Sequence, residues 1–316
     1  MERNHLIDSL KFLCALLVVF IHCEYPYKSS IIPITDIAVP LFFAISGYFV
    51  YGTMTWEKRI IRFSKILLCV SILYLLKTEV YCYYSTSEIW IPTSKNIIDF
   101  FLFNDVAFSL HLWYLPAYIY VLVIAYIIDK KGLWRISQWF ILPLLLTNVI
   151  IKYNIAGICP CEVQYYRNAF FLGLPYFLMG ALLRESYHKI SKWRNKLRIL
   201  LPIFIVILLI LRYHFVGCSL MILIMKEIDL LLLTWTIFLS SIIFTQTGEN
   251  IISNIGCRYA IYIYIFHLLI MQACEVMAMQ LPESIRLIYM YINPFVVFVL
   301  SIVITYFMDK LRILKL

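Results

Sequence analysis

Charge is scarce in this 316-residue chain: Asp, Glu, Lys and Arg make up 14% of it, hydrophobic residues reach 63%, and mean hydropathy is +0.87. So little charge cannot cover a soluble domain of this size, which excludes an ordinary water-soluble fold. Long polar segments are missing too. No low-complexity tract, soluble appendage or internal repeat is visible, and neither are the inverted halves common in transporters. The six histidines lack metal-ligand spacing with one another or with acidic residues, so no metal site is expected. Most of the nine cysteines stand singly in apolar runs, as small buried hydrophobes do. Only Cys159 and Cys161, in CPC, share a loop, and that spacing is not a usual zinc pattern. A formal charge of +9 raises nucleic acid as a partner. The basic residues, however, cluster between hydrophobic runs and leave no separate basic domain, so no nucleic acid is expected.

What is present is a series of apolar runs, which predicts an all-α polytopic membrane protein surrounded by membrane lipids. About ten transmembrane helices are expected, near 9–24, 36–53, 61–82, 111–128, 136–152, 169–184, 198–215, 228–245, 259–279 and 287–307. With the N-terminus inside, roughly 19 of the basic residues face inward and about 8 outward, which places both termini in the cytoplasm. A signal peptide is the alternative for the first run, but no small-residue cleavage site follows it. The gaps are short, so 1–316 reads as one transmembrane domain. The longest, Tyr83 to Leu110, is expected to pack as an outer cap.

The first run, DSLKFLCALLVVFIHCE, carries ionisable residues on one face. Lys11 and His22 are eleven positions apart, three helical turns plus roughly 20°, and so lie about 16 Å apart on the same side, with Asp8 close to that stripe. Either each reaches its own membrane interface, or the stripe faces protein or water as part of a site. In the second run, Ser46 and Gly47 of FFAISGYFVYG can pack helices closely or hydrogen-bond across an interface. Arg59 and Arg62 share one helix face at the inner mouth of the third. Their guanidinium forks suit a phosphate or carboxylate, while positive-inside topology explains the charge alone. His111, Trp113 and Tyr114 open the fourth run on the outer side, as an aromatic belt or as the wall of a sugar pocket. His267 reads as an interior histidine, and His5 and His188 as solvent-exposed.

These motifs together resemble the acyltransferase 3 family, integral-membrane enzymes that acylate cell-surface carbohydrates and some antibiotics or lipids. The likeness is carried by Lys11 and His22 in IDSLKFLCALLVVFIH, then FFAISGY, Arg59 with Arg62, HLWYLPAYI, FFLGLPYFLMGALL, and IGCRYAIYIYIFH ending at His267. It covers essentially the whole chain in family order. Lys11 stands where the family more often has Arg, and Arg258 with Tyr259 replaces a more usual Asn and Ser. No extracytoplasmic hydrolase-like domain is expected after the last span, and the resemblance then implies direct transfer to the final acceptor.

The resemblance implies an O-acetyltransferase of the cell inner membrane that uses acetyl-CoA, or another acyl-CoA, and a saccharide or lipid-linked saccharide acceptor. His22 is the expected catalytic base or acyl carrier. Lys11, Arg59 and Arg62 are expected to bind the CoA phosphates, and Ser46, His111, Trp113 and Tyr114 to meet the acceptor. A polysaccharide or lipid-linked sugar transporter is the rival from another class, and a purely structural membrane protein a further one. A membrane-bound O-acyltransferase of the unrelated type, with its histidine in a late span, could use only His267.

Overall fold

The computed structural model describes residues 3–155, 157, 162–215, 217 and 219–311, and among these every regular element is helical. Cys159 and Cys161 lie outside the described residues. In chain order the helices are α1 (His5–His22), α2 (Lys28–Thr35), α3 (Ala38–Val50), α4 (Trp56–Thr86) and α5 (Ser94–Phe103). A 3-10 turn (Leu110–Trp113) leads into α6 (Tyr114–Lys130), followed by α7 (Trp134–Ser137), α8 (Ile141–Lys152) and α9 (Val163–Tyr166). A π turn (Ala169–Gly173) then leads into α10 (Leu174–Ser191), α11 (Arg194–His214), α12 (Leu220–Ile243), α13 (Ile251–Met279) and α14 (Glu283–Lys310).

Seven stretches among the described residues are long and apolar enough to cross a membrane: His5–His22, Lys28–Val50, Leu110–Lys130, Trp134–Lys152, Arg194–His214, Ile251–Met279 and Glu283–Lys310. They match seven of the expected runs. The other three are helical as well, within α4, α10 and α12, but each brings more charge into its length. Lys77 and Glu79 lie in α4, Arg184, Glu185 and Lys189 in α10, and Lys226, Glu227 and Asp229 in α12. Expected run 36–53 is shorter as a helix, since the chain turns at Asp36 and Ile37 between α2 and α3. The stretch expected to be an outer cap contains α5, started by a reciprocal capping box between Thr93 and Asn96 and stopped by Asn104 in the left-handed region, φ 62°.

The chain divides into two compact units, Met1–Phe42 with Tyr187–Lys315, and Phe43–Ser186. In the first, α1 starts where the Asn4 side chain accepts from the Leu6 amide at 3.1 Å, a cap worth about 1 kcal/mol. Its buried residues Ile7, Leu10, Cys14, Leu17 and Val18 recur at helical spacing, and Ala15 and Val19 are fully enclosed against Ala260 and Ile263 of α13. Gly256 explains how closely α1 and α13 meet. A Cβ there would lie 2.0 Å from the Asp8 carbonyl oxygen and 2.7 Å from the Phe12 amide nitrogen. Lipid tails are as apolar as Leu, so such backbone approach, rather than hydrophobic expulsion, holds these helices together.

The second unit uses the same device. A Cβ on Gly47 of α3 would sit 1.9 Å from the Phe177 carbonyl oxygen, and one on Gly180 of α10 would sit 1.8 Å from that of Ala44. Gly47 therefore packs helices, as its setting in FFAISGY suggests. At one end of this unit Asp129 accepts from the indoles of Trp56 (3.0 Å) and Trp134 (2.7 Å), which fixes the start of α4 against α6.

Candidate active site

The end of α1 brings together two residues far apart in sequence. His22 is half-buried, and its ring centre lies 5.1 Å from that of His267 on α13, the planes inclined by 44°. His267 is completely buried, and its Nδ1–H donates to the main-chain carbonyls of Tyr264 (2.7 Å) and Ile263 (3.2 Å). A nitrogen that donates to carbonyls carries the proton, so the neutral His267 ring presents Nε2 as its acceptor nitrogen. Two imidazoles in contact within an apolar helix pair form a locus where a proton can be taken up and held. The chain beyond His22 is tied down: the Tyr27 hydroxyl donates to the Tyr291 carbonyl at 2.7 Å, and the Asn293 amide to that of Glu24 at 3.3 Å.

The other end of α1 holds a charge cluster. Asp8 has a side chain only 3% exposed and accepts from Lys11 Nζ and Arg3 Nε, both at 2.9 Å. Burying a carboxylate this deeply requires opposing cations, and two are supplied. Lys11 is thus held by Asp8, while its side chain stays 23% exposed. His5, expected in solvent, is buried because α1, capped by Asn4, already begins there, and the His5 amide donates to the Gln246 carbonyl at 2.9 Å. His188 is exposed as expected.

In the second unit, Ser46 and Arg59 reach Tyr118, which the sequence pattern does not single out. The buried Tyr118 phenol is within hydrogen-bonding reach of Ser46 and Arg59 and feels the charge of Arg62. Arg59 is steered by its Nε–H, which donates to Thr55 Oγ1 at 3.0 Å, and Arg62 is exposed. Tyr114 is buried, its ring parallel to that of Tyr118 at 5.9 Å and inclined to that of Phe43 at 4.8 Å. The signal for Tyr118 is its position four residues after Tyr114, one helical turn along the same face.

His111 and Trp113 occupy the 3-10 turn before α6 and are both buried. His111 Nδ1 and Ser109 Oγ share a 2.9 Å hydrogen bond, and the edge of Tyr74 packs on the ring at 4.7 Å. The Arg167 guanidinium lies over the Trp113 indole at 5.2 Å. Burial raises the carboxyl pKa of nearby Asp105, and the positive charge of Arg167 lowers it again in part. Among the described residues no group of three or more His, Cys, Asp or Glu side chains is arranged to hold a metal ion.

Curated relatives include an amino-acid racemase of Enterococcus faecalis, 28% identical over 218 residues, which covers 61% of this chain and 30% of that protein. A serine/alanine racemase of Enterococcus gallinarum is 26% identical over 229 residues, 64% of this chain and 32% of the relative. The chain thus spans about a third of the length of the curated relatives it matches. No solved structure matches it. The family model described as an acyltransferase domain, Acyl_transf_3, matches residues 4–308. This multi-pass membrane protein belongs to the acyltransferase 3 family.

Proposed function

We propose that the chain is one transmembrane acyltransferase domain of the cell inner membrane, with ten spans and both termini cytoplasmic. It transfers an acyl group, acetyl foremost, from acyl-CoA to a hydroxyl of a cell-surface or lipid-linked saccharide. The observation that carries this reading is the contact between His22 and His267, because the histidine ending the family's first-helix motif meets a second, fully buried imidazole. His22 removes the proton of the acceptor hydroxyl while the oxygen attacks the thioester carbonyl. The carbon–sulfur bond breaks, and the CoA sulfur leaves as the thiol after taking a proton from the His22 imidazolium. His267 stays neutral beside it, its ring fixed by the two carbonyls of α13. Arg59 and Arg62 offer guanidinium forks for CoA phosphates, with Tyr118 and Ser46 beside Arg59. Lys11, held by Asp8 on α1, is the further cation assigned to the donor. His111 and Trp113 meet the acceptor.

The test is transfer of labelled acetyl from acetyl-CoA to surface glycans by the purified full chain in lipid, with glycan mass spectrometry of cells with and without the gene. Loss of one acyl mass increment without the gene supports the reading and names acyl group and acceptor together. Unchanged glycans, with no acetyl-CoA binding by the folded protein, would favour a sugar transporter, which has no need of a thioester.

A further inference from the structure

The second unit carries cations at two separated levels of α4. Arg59 and Arg62 stand near its start, and Lys77 stands 18 residues after Arg59, about 27 Å along the axis by helix rise. The donor assignment uses the first level and leaves the second unexplained. Lys77 is half-buried, and the partner the described residues give it is a ring: its Nζ lies 5.8 Å from the centre of Tyr74, with no carboxylate among the described residues paired to it. Holding an ammonium partly out of water without a counter-charge is costly, and a cation–π contact of about 1 kcal/mol offsets only part of that.

Tyr74 leads on to further basic groups. It packs on His111, two residues before Trp113 on the same 3-10 turn, and Trp113 carries the Arg167 guanidinium on its face. Arg167 is held in place by the backbone on both sides of it. The Asn148 amide donates to the Tyr166 carbonyl at 2.6 Å, and the fully buried Asn168 accepts from the Phe170 and Phe171 amides at 3.0 Å each. Thr78, next to Lys77, donates to the Phe108 carbonyl at 3.1 Å and so ties α4 to the segment that leads into the turn. Lys77, His111 and Arg167 therefore sit on a preset aromatic support.

We propose that Lys77 and Arg167, carried on Tyr74 and Trp113 on either side of His111, bind an anionic group of the acceptor, a phosphate or carboxylate attached to the saccharide. This rests on the reading that a saccharide is acylated and narrows it to acidic or phosphate-linked saccharides. Trp113, itself buried, carries Arg167 on its face, and Arg167 brings a planar fork of donors that suits two oxygens of the anion. An anionic phospholipid headgroup presents the same chemistry, so the test separates the two sources.

The full chain is placed in nanodiscs of phosphatidylcholine, and binding of a polyprenyl-pyrophosphate-linked disaccharide is measured against the same disaccharide on an uncharged lipid. Lys77→Gln with Arg167→Gln weakens binding of the pyrophosphate-linked form by roughly tenfold or more and leaves the uncharged form unaffected. Lys77→Arg restores most of the loss, which a folding defect would not allow, and melting curves of all variants are recorded alongside. Wild-type binding of the pyrophosphate-linked form by the folded double variant overturns the proposal. So does a variant that loses retention of phosphatidylglycerol yet keeps the saccharide, since the cations would then serve the bilayer. Acetyl-CoA binding, measured on the same samples, reports on the acyltransferase reading separately: its absence from wild-type protein would sink that reading without touching the anion site.

Discussion

His22 closes α1 in one unit and His111 lies in the 3-10 turn before α6 in the other, and their surroundings differ in kind. His22 meets another imidazole, His267, at 5.1 Å, whereas His111 meets the phenol ring of Tyr74 at 4.7 Å and the hydroxyl of Ser109 at 2.9 Å. The imidazole beside His22 is fixed by two main-chain carbonyls, whereas the partners of His111 are a phenol and an alcohol. His111 instead sits among aromatic faces and cations, an arrangement suited to holding a ligand. On the proposed reading, the same residue type serves chemistry in one unit and recognition in the other. Sequence spacing alone does not separate these roles.

The largest effect that bears on this comparison is structural. Gly256→Leu forces α1 and α13 apart, because the new Cβ would fall 2.0 Å from a backbone oxygen that cannot yield. Folded protein in detergent extracts should be lost, which size-exclusion profiles report; a monodisperse variant with wild-type melting would contradict the packing. Next in size is His22→Ala, expected to lower transfer by roughly a hundred- to ten-thousand-fold with acyl-CoA binding retained. Smaller again is Arg59→Ala with Arg62→Ala, which should raise the Michaelis constant for acyl-CoA about tenfold or more while the folded yield holds. An unchanged constant would move phosphate binding elsewhere. The smallest change is expected from His111→Ala: a several-fold weaker use of acceptor, of the order of one lost hydrogen bond, with donor kinetics untouched.

Local features of the fold are legible in the amino-acid sequence. The apolar runs mark the helices, and Gly47 among aromatics signals close packing. Helical period alone places Lys11, Asp8 and His22 on one stripe, and the Asp8–Lys11 ion pair follows from their three-residue spacing. Long-range partners are not legible. His267 is 245 positions from His22, and no local rule reports that α13 lies along α1. Tyr118 is hidden by its setting, since a tyrosine in an apolar helix looks like core until Ser46 and Arg59 arrive from other helices. His5 looks like part of a tail because a single capping asparagine, rather than hydropathy, decides where α1 begins. The run at 36–53 starts at the turn between α2 and α3, whereas the stretch long and apolar enough to cross a membrane begins earlier, at Lys28.

The measurement that bears most directly on the account places His22→Ala and His111→Ala side by side in single-turnover transfer of labelled acetyl from acetyl-CoA, at saturating acceptor, with donor binding and melting recorded on the same preparations. Saturation should restore His111→Ala to nearly the wild-type rate, because it lost affinity alone. His22→Ala should stay slower by a factor of about a hundred or more at any acceptor concentration, because it lost the group that moves the proton. Wild-type turnover by folded, donor-bound His22→Ala protein would contradict the assignment, and the chemistry would then have to be sought at His267 or His111.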